Sequence, residues 1–172
     1  MKGRGCVHRA FTAVLYPASV PGACMAAVLC GLILVTPGAP GPRTEVCVPT
    51  RPDALGPFYR PGAPVRTSVG KGYVLSGRVL AAARCLPVPG ARLEFWLAGP
   101  DGRYGDAYRA TVFADAGGGY RFESHFPPAY GGRPPHIHLR VSAVGYRTLV
   151  TQHYPRPGDP EGWFDVVLEP ES

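Results

Sequence analysis

Beyond its N-terminus the 172-residue sequence has no long run of helix formers with a 3.6-residue apolar period, and it has no internal repeat. The first absence argues against a helical bundle and against an α/β fold built on crossover helices. The second excludes a solenoid or propeller. Acidic residues are missing from the first 40 positions, which carry Lys2, Arg4 and Arg9. Of the whole chain's 18 basic side chains, 15 remain after that stretch against 12 acidic ones, so the net charge drops from +6 to +3. That balance is small and mixed in sign, and it argues for no nucleic-acid partner. Cysteine is scarce. Cys6, Cys24 and Cys30 fall in the N-terminal stretch, which leaves Cys47 and Cys85. In an oxidising compartment these two form one disulfide; otherwise they are two buried thiols.

What the first 40 residues do contain reads as targeting. A basic start precedes an apolar run, densest from Ala23 to Val35, and small residues follow in Thr36-Pro-Gly-Ala39. This is the layout of an export signal, and the dense run is shorter than the ~20 residues that span a bilayer. Pro37 and Pro40 flank the cut expected after Ala39, so an uncleaved N-terminal anchor is the second reading. A lipid-modified Cys24 is a third, although the apolar run follows that cysteine instead of preceding it. All three place the folded part outside the cytoplasm, with membrane contact only through this segment.

The remainder divides into an extended Pro/Gly-rich arm over 41–71 and a core over 72–172. Short apolar runs broken by turns predict strands at Tyr73–Leu80, Ala91–Ala98, Arg109–Ala114, Tyr120–Ser124, His136–Val144, Tyr146–Tyr154 and Trp163–Leu168. Strands at this spacing describe an all-β chain, an antiparallel β-sandwich. One strand stands apart. His136, His138, Arg140 and Ser142 share one phase, and Ile137, Leu139, Val141 and Ala143 the other. The apolar phase is expected on the core, with both imidazoles on the opposite face. An H-x-H pair is common on surfaces and in cores, and its neighbours give it meaning. Pro134 and Pro135 stiffen the approach, and Tyr130 and Arg133 stand just upstream.

Nine short pieces then occur in order: Leu55-Gly-Pro-Phe-Tyr59, Gly62-Ala-Pro64, Gly77-Arg-Val79, Cys85-Leu-Pro87, Glu94-Phe-Trp96, Gly102-Arg-Tyr104, Tyr130, Arg133-Pro-Pro-His-Ile-His138 and Thr151-Gln152. With them the chain from about Leu55 to Leu168 resembles the intradiol ring-cleavage dioxygenases, the catechol and protocatechuate dioxygenase family. The resemblance implies the sandwich core of that family and a mononuclear, non-haem Fe(III) held by Tyr104, Tyr130, His136 and His138. Phenolate is a hard anionic donor suited to ferric iron, whereas Fe(II) oxygenases use two histidines and a carboxylate.

The resemblance also implies roles. Tyr130 leaves the metal and accepts a substrate proton, and Arg133 stabilises negative charge on the ring. Gln152 orients groups near the iron, and Tyr59 borders the substrate pocket. The substrates implied are a catechol-type molecule and O2, and the product is a cis,cis-muconate-type diacid. His125 and His153 match no motif and are read as structural. The rival is a non-catalytic exported module, either a plain binding sandwich or a Cu or Zn site on the two histidines. Homo-oligomerisation is left open.

Overall fold

A computed structural model describes residues 47–171; the expected targeting segment at 1–40 and the start of the arm lie outside them. Within these residues the chain is nearly all β, and its one helical element is a 3-10 turn, Asp106–Tyr108. The strands are β1 (Tyr73–Ala81), β2 (Arg92–Trp96), β3 (Arg109–Phe113), β4 (Gly119–Ser124), β5 (Ile137–Ser142), β6 (Leu149–His153), β7 (Glu161–Trp163) and β8 (Val166–Leu168).

They form two sheets. One has the order β3-β2-β5-β6 and is antiparallel throughout. The other is centred on β1, which pairs antiparallel with β4 and parallel with β7 and β8. The expected final strand is thus split. Asp165 is the reason: its side chain takes the backbone N–H of Arg78 at 2.8 Å, interrupting the ladder beside β1. The expected strand from Tyr146 starts only at Leu149, because a turn at Gly145 (φ 80°) closes Tyr146 N–H on the Ala143 carbonyl.

The alternation in the sequence decides which side chains meet. Leu93 and Phe95 of β2 and Ile137, Leu139 and Val141 of β5 are buried between the sheets against Leu75, Val79, Phe122 and Val166. Phe95 stacks on Phe122 with ring centroids 4.3 Å apart. Each such fully buried side chain contributes roughly 2 kcal/mol.

The opposite face of the β3-β2-β5-β6 sheet would be wet in a bare sandwich. Here Glu94, Trp96, His138 and Gln152 project from it and are each no more than 5% exposed. The arm is their cover. It begins at Cys47, disulfide-bonded to Cys85 with Cα atoms 5.2 Å apart. Asp53 N–H then bonds to the Val150 carbonyl on the β6 edge. After crossing the sheet face the arm descends the free edge of β3, where Thr111 bonds to Pro64 and Arg66. Polar side chains that alternation assigns to solvent therefore become the floor of a site.

Candidate metal centre

Register builds the floor. Arg109, Trp96, His138 and Gln152 are consecutive cross-strand partners on β3, β2, β5 and β6. The Trp96 indole lies flat on His138, with centroids 4.8 Å apart and planes 7° off parallel. From above, Gly56 of the arm presses on the same imidazole. A Cβ at Gly56 would come within 3.1 Å of His138 Cε1, and its φ of +71° suits glycine. The ring is thus held between an indole and a bare backbone.

His136 enters just before β5 and is 3% exposed. Its Nδ1–H donates to the Pro134 carbonyl at 2.7 Å, which leaves Nε2 with a free lone pair. That nitrogen lies 3.3 Å from the Tyr104 hydroxyl. Tyr104 arrives on the turn after β2, closed by Gly99 N–H on the Arg103 carbonyl and by Gly102 at φ 75°. Tyr130 arrives on a different device. Tyr130 and Arg133 exchange both backbone hydrogen bonds across Gly131 and Gly132, which have φ of 57° and 76°. This is a two-residue turn of the kind only glycine-like backbones adopt easily. The Tyr104 and Tyr130 rings meet edge to face at 5.5 Å, and the His136 and His138 rings at 4.8 Å. All four expected ligands are therefore neighbours.

The donor set fits a cation. Burial, with help from His136 and Arg133, pushes His138 down to about 4, so it is a neutral imidazole at neutral pH. Its Nδ1 is buried with no hydrogen-bond partner among the described residues. Burial and the neighbouring Tyr130 push the Tyr104 phenol up to about 12, against Arg133. Without a cation the pocket therefore resists the phenolate form; a bound cation reverses that. Among the described residues no three His, Cys, Asp or Glu side chains gather into a site. The donors here are two imidazoles and two phenols, and the two hard phenolate oxygens suit Fe(III) better than Cu or Zn. His136 also has the carbonyl partner behind its free nitrogen that metal-binding histidines use.

Around the four lie the other expected residues. One Arg133 nitrogen, Nη2, donates to Gln152 Oε1 at 2.8 Å and to the Tyr154 hydroxyl at 2.9 Å. Gln152 Nε2 donates to the Ala54 carbonyl at 2.6 Å, tying the arm to β6. Tyr59 sits deeper. Its hydroxyl is 3.3 Å from both Glu94 oxygens, and its ring packs on Trp96. The arm residue that reaches the tyrosines is Phe58, stacked on Tyr104 at 4.3 Å and edge-on to Tyr130 at 5.7 Å. Beside it a cavity of about 220 Å³ is lined by Pro57, Phe58, Arg60, Tyr104, Gly105 and Arg109. His125 donates to or accepts from no site residue and bonds to the Ala98 carbonyl. His153 faces the other way, 2.6 Å from the Tyr73 hydroxyl.

Sequence reasoning quoted Gly56, Phe58 and Trp96 only as motif members without a role, and it passed over Tyr154. Tyr154 had a usable signal, the shared strand phase with Gln152 two residues earlier. Phe58 and Gly56 had none, because the arm's path is set by contacts distant in sequence.

Known proteins place the arrangement. Residues 62–169 match the Dioxygenase family. The chain is 31% identical over 150 residues to the chlorocatechol 1,2-dioxygenase of Pseudomonas sp. (strain P51), covering 67% of this chain and 58% of that one. It is 34% identical to the hydroxyquinol 1,2-dioxygenase of Rhodococcus opacus, covering 65% and 48%. This chain thus spans about half the length of these relatives. Among solved structures it is similar to the dioxygenase domain of a dioxygenase carbohydrate-binding protein fusion from Streptomyces sp. SirexAA-E. The TM-score is 0.65 at 33% identity, covering 72% of this chain and all of that one. The hydroxyquinol 1,2-dioxygenase of Pseudomonas putida DLL-E4 shares the fold at a TM-score of 0.64 and 21% identity, covering 74% and 68%. With the family match extending over more than half of its residues, the chain belongs to the intradiol ring-cleavage dioxygenases.

Proposed function

We propose that the protein is a ferric-iron intradiol dioxygenase that inserts both atoms of O2 into a catechol-type ring and yields a cis,cis-muconate-type diacid. The observation that carries this reading is the convergence of two phenols with two imidazoles, above all the 3.3 Å between Tyr104 Oη and His136 Nε2. Tyr104, Tyr130, His136 and His138 would hold the metal. Ferric iron bound there supplies Lewis acidity and withdraws electron density from the catechol, opening its ring to O2.

The protein's own groups divide the remaining work. Tyr104 is clamped under Phe58, whereas Tyr130 rides on an exposed Gly131-Gly132 turn. Tyr130 is accordingly the ligand free to swing aside and take a proton from the substrate hydroxyl at its phenolate oxygen. Arg133, next to it on the turn, offers a permanent cation to negative charge developing on the ring. Gln152 holds that guanidinium and anchors the arm. Phe58 walls the site with apolar surface and limits water. The disulfide between Cys47 and Cys85 supports an oxidising location, and with the N-terminal pattern it supports export.

Iron content and the visible spectrum test the reading. Protein loaded with Fe(III) should be red-brown from tyrosinate-to-iron charge transfer, and anaerobic catechol should shift the band. Tyr130→Phe should impair turnover. Arg133→Ala should keep the colour and lose most activity. A protein that stays colourless with Fe(III) is a binding module, and the enzyme reading then fails.

A further inference from the structure

The Arg133 guanidinium is held by a device that the metal ligands do not require. Its backbone is tied to Tyr130 across the exposed Gly131-Gly132 turn, which fixes the chain there but not the direction of the long side chain. Its side-chain hydrogen bonds go from a single nitrogen to Gln152 and Tyr154. The Tyr154 hydroxyl is the node. It lies 2.8 Å from Asp53 Oδ2, 3.1 Å from Gln152 Oε1 and 2.9 Å from Arg133 Nη2. A phenol has one proton, and the Asp53 carboxylate takes it best. Its lone pairs then face the guanidinium. Asp53 is itself fixed, since Oδ1 accepts the Ala54 N–H at 2.6 Å.

Three separate segments meet at this hydroxyl: the arm, the Tyr130–Arg133 turn and the end of β6. Tyr154 is 42% exposed and Asp53 is exposed as well. Exposed polar contacts of this sort add little to stability, so stability alone does not account for a three-way node on a tyrosine whose ring centroid lies 6.1 Å from that of His136. We infer that Tyr154, oriented by Asp53, is a positioning residue that holds Arg133 in its working direction. The inference rests on the dioxygenase reading for its consequence in turnover, though not for its geometry.

Two measurements on the full chain decide it. The first is turnover of catechol with iron content recorded on the same samples. Tyr154→Phe should keep the iron and the tyrosinate band while kcat falls about 10- to 100-fold. Asp53→Ala should give a smaller loss in the same direction. In an Arg133→Ala background, Tyr154→Phe should cost nothing further, because its effect runs through the guanidinium. Normal turnover in Tyr154→Phe, or losses that multiply in the double variant, overturns the inference. The second is NMR of the arginine side chains in metal-free protein. Arg133 should show restricted rotation about its guanidinium, and Tyr154→Phe should release it. An equally mobile Arg133 in both proteins overturns the inference by itself. If the natural protein cleaves no catechol, the proposed function falls while the NMR result still decides the positioning.

Discussion

Gly56 concentrates the demands of the site on one residue. It needs a positive φ, and it needs no side chain because His138 lies beneath it. Gly56→Ala meets both objections at once. The backbone conformation costs about 1 kcal/mol for any residue with a Cβ, and the 3.1 Å approach to His138 Cε1 forces the ring or the arm to shift. The expected outcome is a folded protein with its melting temperature a few degrees lower and iron affinity reduced at least tenfold. Titration with Fe(III) followed in the visible range checks this, and unchanged affinity would show that the arm has slack over the imidazole. The four expected ligands could be named from the sequence because short motifs carry them: His136 and His138 share a strand phase, Tyr104 ends a glycine-containing turn sequence, and Tyr130 opens one. Gly56 was quoted as part of a motif yet gave no hint of its contact. A glycine's purpose lies in what approaches it, and here that neighbour is 82 positions further along the chain.

At the scale of elements, the arm is the part that sequence described and could not place. Its Pro and Gly content forbids long ladders, and among the described residues it forms isolated bridges only, at Val65 to Thr111 and Ser68 to Glu123. Its course is decided by anchors far away in sequence: Cys85, Val167, Val150 and Thr111. The disulfide is the first of these and closes a separation of 38 residues. On loop-entropy grounds it contributes about 3–4 kcal/mol. Replacing Cys47 and Cys85 by Ser together should therefore lower stability by that order. It should also loosen the arm over the site, so that Phe58 protects Tyr104 less. Chemical denaturation gives the first quantity. Quenching of the tyrosinate band by a competing chelator, faster in the double variant, gives the second. The strands were legible for the opposite reason: β2 and β5 alternate cleanly and pair locally predictable faces. Where sequence misjudged strand limits, at Tyr146 and at Phe164–Asp165, a turn glycine or a carboxylate substituting for a ladder partner was responsible.

For the whole molecule, the sandwich holds two neutral histidines on opposite faces of one sheet, and this couples folding to acid. Burial pushes both His138 and His153 down to about 4, from an ordinary value of 6.5. The folded state thus binds protons less readily than the unfolded chain, and stability falls wherever the unfolded chain takes up protons first. Above pH 6.5 neither state is protonated at these rings, and stability is level with respect to them. Between 6.5 and about 4 the unfolded rings charge while the folded ones do not, so stability declines. Below about 4 both states are charged and the decline from these groups stops. His153 isolates the effect because it touches no expected ligand: its Nε2 lies 2.6 Å from the Tyr73 hydroxyl. Its share is on the order of 2 kcal/mol after allowance for partial solvent contact. Denaturation of the metal-free protein from pH 7.5 to 5, above the range where most carboxylates titrate, should show a falling midpoint. His153→Gln should flatten part of that slope and leave the remainder to His138. If His138 holds iron as proposed, the slope should steepen with iron bound, since protons then compete with the metal for that ring. A midpoint independent of pH across that interval would mean that the two rings are hydrated in the folded protein and that the face beneath the arm is open to water.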